Sequence, residues 1–98
     1  MNRDDAIRLL KQAEPELRAR GVRSLALFGS TARGDAGPDS DVDVVVDLDL
    51  SRQLSLIDLS GMRLLIEDQL GCRTDLTIHD DLRPTYRANI EAEAIRIF

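Results

Sequence analysis

The chain has 98 residues, of which 43% are hydrophobic and 32% charged, with 3 Pro, 6 Gly and a single Cys. A chain of that length makes one modest core, burying about 60 to 70% of its unfolded surface, and its composition excludes a disordered or low-complexity segment. A net charge of −5 argues against a module for duplex nucleic acid, whose binding draws on counterion release. Cys72 alone cannot form an internal disulfide, and no apolar run approaches the ~20 residues of a membrane span. The N-terminal stretch MNRDDAIRLLKQAEPEL is too charged for a secretory signal, so the expected address is the cytoplasm.

In chain order, Ile7, Leu10 and Leu17 recur at helical spacing between Asp4 and Arg20, which predicts an amphipathic helix with Asp4 and Asp5 at its N-terminus. Pro15 ends or kinks it near Glu14, or opens a second short helix that Gly21 closes. Val22 to Phe28 reads as a strand stopped by Gly29. GDAGPDS, residues 34 to 40, is turn chemistry, and a valine-rich strand follows from about Val42 to Leu48. Only the segment from Gly29 to Asp41 joins these two strands, marginal for a parallel crossover, so a mixed sheet is expected.

SLIDLSGMRLLIEDQL, residues 55 to 70, places Leu56, Leu59, Met62, Leu65, Ile66 and Leu70 near one face of a helix capped by Gly71, and this stripe is expected to be core. A third strand spans roughly Arg73 to Ile78. Pro84 opens a last helix through about Ala94, with Tyr86 and Ile90 expected to face inward, and IRIF ends as an edge strand or a tail. The fold class is α/β, close to α+β: one small mixed sheet with helices packed mainly on one face, and residues 1–98 forming one domain. His79 and Cys72 are read as a surface residue and a buried thiol.

Two acids interrupt the valine strand. With a side-chain period of two, Asp41 and Asp43 share one face while Val42, Val44 and Val46 face the core. Carboxylates ~7 Å apart along a strand repel, and a divalent cation removes the conflict. Hard oxygen donors without a neighbouring His or Cys point to Mg²⁺, with Mn²⁺ as the alternative. Asp75 on the next strand supplies a third carboxylate, enough for two ions of the kind that clamp the oxygens of a phosphoryl or nucleotidyl transfer. Gly29 lets the backbone approach a phosphate, Ser30 adds a hydroxyl, and Arg33 offers a fork of donors. Taken singly, a Gly-Ser is ordinarily a turn and a D-x-D ordinarily a solvated edge.

The combination is much rarer. FGSTARGD followed by SDVDVVV and then a strand aspartate resembles the signature of the DNA polymerase β-like nucleotidyltransferase superfamily. With the short length, it is similar to the minimal nucleotidyltransferases, often paired with a HEPN-domain partner as a toxin-antitoxin module. The resemblance implies a nucleotidyltransferase fold with Asp41, Asp43 and Asp75 ligating two Mg²⁺ ions, and Gly29 with Ser30 holding the β- and γ-phosphates of ATP. It implies transfer of AMP to a tyrosine hydroxyl of a HEPN RNase toxin, this chain acting as the antitoxin. Two other classes stay open at this point: a small-molecule nucleotidyltransferase, and an antitoxin that neutralises its partner by binding alone. No pattern in the chain reads a nucleobase.

Overall fold

A computed structural model describes residues 1–37 and 40–98; Pro38 and Asp39, part of the expected 34–40 turn, lie outside them. The elements are α1 (Arg3–Gln12), α2 (Glu14–Ala19), β1 (Val22–Phe28), α3 (Gly29–Arg33), β2 (Val42–Leu48), α4 (Leu56–Leu70), β3 (Thr74–Ile78), α5 (Pro84–Glu93) and β4 (Ile95–Arg96), with a 3₁₀ turn at His79–Asp81. Each helix boundary has a local cause. Asn2 caps α1 by accepting from the Asp5 amide at 2.8 Å, and Pro15 sits in the first turn of α2, where its missing N–H costs no helical bond. Ser55 and Asp58 form a reciprocal capping box on α4, which ends at Gly71 with φ +73°. None of these helices is long and apolar enough to cross a membrane.

The strands form one mixed sheet in the order β3-β2-β1-β4. β1 and β2 run antiparallel, the arrangement that a connection so short favours, whereas β2 and β3 are parallel and joined through α4. The register pairs Leu27 with Val44 and Leu25 with Val46 on one face, and a bulge lies between Val22 and Ser24. β4 adds to the free edge of β1, pairing Arg96 with Ala26, and the Ile97 amide donates to the Leu25 carbonyl at 2.9 Å. IRIF is therefore an edge strand with a docked end. Phe98 is buried and its ring carries the Arg18 guanidinium at 4.8 Å.

The alternation within β2 determines where the core sits. Val42, Val44 and Val46 are fully buried against Ala6, Leu10 and Leu17 of the first two helices and Met62, Ile66 and Leu70 of α4. Each large aliphatic side chain so placed contributes roughly 1.5 to 3 kcal/mol. The opposite face carries Phe28, Asp43 and Asp75 in one row and Ala26, Val45 and Thr77 in the next. On that second face α5 contributes buried Ile90, which lines the same small cavity as Ala26 and Val45, and Gly29 at the start of α3 (Gly29–Arg33) packs against Asp43. Most of the helical mass therefore lies on one side and leaves the acidic row uncovered.

Three expectations fail. Leu56 is 81% exposed, with Ile57 and Leu64 also in solvent, so the stripe of α4 enters the core only from Met62 through Ile66 to Leu70, with Leu59 and Leu65 half-buried. The helix is apolar on several sides, so its sequence periodicity does not say which side packs. Tyr86 is 64% exposed, while Ile90 one turn later is buried. The two share one side of α5, but only Ile90 is buried there, while Tyr86, one turn nearer the N-terminus, stays at the rim of an open pocket. Cys72, expected as a buried thiol, is only half-buried at the turn after α4, and desolvation raises its thiol pKa. Replacing Ile66 with Ala should lower unfolding stability by about 2 to 5 kcal/mol, whereas Ile57→Ala should stay within about 0.5 kcal/mol. Urea titrations of the two variants check this, and comparable losses would contradict the packing of α4.

Candidate active site

The site is assembled at the ends of β1, β2 and β3. Parallel pairing sets Asp43 directly beside Asp75, and antiparallel pairing sets Phe28 on its other side. At that point the Val42 amide donates to the Arg73 carbonyl at 3.0 Å across the β2–β3 seam, and the Thr74 amide donates to Glu67 Oε2 at 3.1 Å, tying β3 to α4. Glu67 belongs to α4, so the helix that supplies the core also anchors the strand that carries Asp75. Asp41 precedes β2 and is exposed, as is Asp75, while Asp43 is half-buried.

Gly29 begins α3 with φ +74°, and a Cβ there would collide with the Asp43 carboxylate. The missing side chain therefore does two things: it permits a left-handed turn out of β1, and it leaves room for the acid. Gly34, at φ +81°, ends α3 with open space around it. Ser30 follows Gly29 in the first turn, and its carbonyl accepts from the Asp35 amide at 3.0 Å. Arg33 is already engaged, with Nε 3.3 Å from Asp35 Oδ2 and Nη1 3.2 Å from Glu93 Oε2. The Glu93 contact ties α3 to α5 across a long sequence separation that no local pattern announces.

Burial first, then the charges of Asp75 and Asp41, push the Asp43 pKa up, and Arg33 offsets only part of this. The acids are thus electrostatic neighbours. They are not a preformed cage, since among the described residues no group of three or more His, Cys, Asp or Glu side chains converges closely enough to enclose a metal ion. The donor chemistry nonetheless fits a hard divalent cation: the carboxylates crowd one another, and neither His79 nor Cys72 joins them. His79 instead pairs with Glu91, Nε2 to Oε1, at 2.8 Å. Beside Gly29 opens a pocket of about 320 Å³, floored by Phe28 and Ile90 and rimmed by Tyr86, Asn89 and the Arg33–Glu93 pair. Neither that pocket nor a larger cleft of about 460 Å³ between the start of α1 and the loop after α3 is lined by any of the three acids, but only the first reaches Gly29, which packs against Asp43.

An acid pair on adjacent strands, with a glycine-led turn packed against it, is the arrangement of a nucleotidyltransferase domain, and the chain belongs to that family, whose match spans residues 10–97. It is 34% identical over 90 residues to the protein adenylyltransferase MntA of Thermococcus cleftensis, covering 91% of this chain and 89% of that one. A solved structure described as a minimal nucleotidyltransferase superposes with a TM-score of 0.79 at 34% identity, covering 97% of this chain and 95% of the other. The fold is shared with more distant structures as well. A toxin-antitoxin structure with AMP-PNP gives a TM-score of 0.69 at 19% identity, covering 100% and 73%. The Shewanella oneidensis complex of a tri-AMPylated HEPN toxin with its MNT antitoxin gives 0.65 at 16%, covering 94% and 71%.

Two predictions follow from this geometry. Gly29→Ala should destabilise the fold more than Gly34→Ala, although both positions require positive φ, because only the first meets a neighbour. The second should cost only the left-handed term of about 1 to 2 kcal/mol, and equal losses in thermal unfolding would remove the Gly29–Asp43 contact from the account. A raised carboxyl pKa means that the folded chain holds the Asp43 proton more tightly than the unfolded chain does. Stability therefore falls as pH rises from the unfolded value of about 3.9 through the folded one, and stays reduced above it. In chelator-containing buffer, Asp43→Asn should raise Tm at neutral pH, with the gain shrinking as pH falls through the raised folded value and gone below about pH 4. A constant or reversed difference would contradict the crowding.

Proposed function

We propose that this chain is an antitoxin-type protein adenylyltransferase that moves AMP from ATP to a tyrosine hydroxyl of a HEPN-domain RNase toxin. The observation that carries this reading is the side-by-side placement of Asp43 and Asp75 with Gly29 fitted against Asp43. The names of the relatives point the same way: the similar Thermococcus protein is a protein adenylyltransferase, and the more distant Shewanella complex holds an AMPylated HEPN toxin.

Asp41 and Asp43 would hold Mg²⁺, two ions in the full arrangement, with Asp75 completing the set on the acceptor side. Such ions, when bound, screen the phosphate charge and favour ionisation of the acceptor hydroxyl. The chain's own residues do the rest. Gly29 and Ser30 would present backbone N–H groups and a hydroxyl to the β- and γ-phosphates. Asp75 is exposed, so an acceptor arriving from another protein reaches it without displacing the sheet, and its carboxylate would take the phenol proton. The phenol oxygen then bonds to the α-phosphorus as the bond to the bridging oxygen breaks, and pyrophosphate leaves. The gain comes chiefly from placement and from fixed charge.

Incubating the purified chain with its HEPN partner, ATP and Mg²⁺ should add the mass of AMP to the partner. The double variant Asp41→Asn, Asp43→Asn should abolish this addition while leaving the complex intact. Asp75→Asn should slow it by about 100-fold or more, as loss of a proton acceptor does. Intact-mass spectrometry decides: an unmodified partner under all conditions would leave neutralisation by binding, and a modified partner with the double variant would refute the carboxylate assignment.

A further inference from the structure

We propose that the pocket between α5 and Gly29 seats the nucleoside of the bound nucleotide, with Tyr86 as stacking platform and Asn89 as the residue that reads the base edge. This rests on the nucleotide-transfer reading above and extends it to a part of the ligand that the acidic row does not touch.

The argument begins with α5. Tyr86, Asn89, Ile90 and Glu93 stand at the first, fourth, fifth and eighth positions of a helical repeat, so they share one side of the helix. Ile90 is buried against the sheet, and Glu93 reaches across to Arg33 of α3. Those two contacts pin the helix while Tyr86 and Asn89 remain at the open rim. A single exposed aromatic ring on a surface is unremarkable. Here the ring borders a concavity that also contains Gly29, the residue packed against Asp43. One pocket thus runs from the proposed phosphate cradle to an unburied aromatic face.

Size and chemistry agree with that use. About 320 Å³ lies within the range of small-molecule pockets, roughly 300 to 1,000 Å³. Phe28 and Ile90 give an apolar floor, suited to a flat ring, and the Tyr86 phenol offers a face on which any base stacks. Asn89 contributes both a donor and an acceptor on one planar group, the pattern that pairs with N6 and N7 of adenine. The Arg33–Glu93 ion pair closes the end of the pocket beside α3.

Calorimetric titration of the full-length chain with Mg²⁺ and either AMP-PNP or inorganic tripolyphosphate tests the assignment. Tyr86→Ala should weaken AMP-PNP binding by about tenfold or more, the loss of one stacking contact, and leave tripolyphosphate binding within about twofold. Tyr86→Phe should bind AMP-PNP nearly as the parent does, and Asn89→Ala should reduce the preference for AMP-PNP over GMP-PNP. Unchanged AMP-PNP binding by Tyr86→Ala would overturn the proposal, as would an equal loss of tripolyphosphate binding. If that variant bound AMP-PNP normally but no longer modified a protein acceptor, the pocket would belong to the acceptor and the proposal would fall. Failure of the parent chain to bind either ligand would refute the cradle, and the nucleoside seat with it. Loss of transfer alone, with the selective AMP-PNP effect intact, would refute the protein-acceptor reading and support the seat.

Discussion

The structure turns on one pairing: β3 lies parallel to β2 in the register that brings Asp75 alongside Asp43. Side-by-side carboxylates are unfavourable in a folded chain, and here part of that cost is desolvation of Asp43 itself. The pairing persists because the same register buries Val42, Val44 and Val46 on the other face, where apolar area outweighs the repulsion. Core and site are thus two faces of one strand. Sliding β2 by one residue would put the acids into the core and the valines into water.

Much of this was legible in the chain. The bounds of β1 and β2 follow from valine and leucine runs ended by glycine and aspartate, and the short Gly29–Asp41 connection implies the antiparallel pair. Gly29 after an apolar run reads as a point of close backbone approach, and in the structure it combines positive φ with contact against Asp43. What was hidden depends on contacts between distant elements. The first turn of α4 has leucine and isoleucine on a side that meets nothing, and periodicity cannot distinguish a packed apolar side from a free one. Tyr86 looks like core by residue type, yet Ile90 alone fills the sheet-facing position. Arg33 finds Glu93 across the fold, and His79 finds Glu91, neither of which leaves a local signature.

Membership of the nucleotidyltransferase family accounts for the economy of the architecture. A four-stranded sheet covered chiefly on one side leaves the acidic row accessible, while α3 and α5 shape its margins. The two helices are joined by an exposed ion pair, worth little in stability because solvent screens it. Its value is positional: it holds the wall of a pocket at a set distance from the glycine turn.

The parallel neighbours have a consequence for how the chain folds. β1 and β2 are close in sequence and can meet early, but β3 must wait until the long segment between Leu48 and Thr74 has closed its loop around α4. The two like-charged carboxylates therefore come together only once β3 has docked beside β2. Until then Asp43 and Asp75 stand apart, so the acidic row is a product of tertiary closure and of no single local segment.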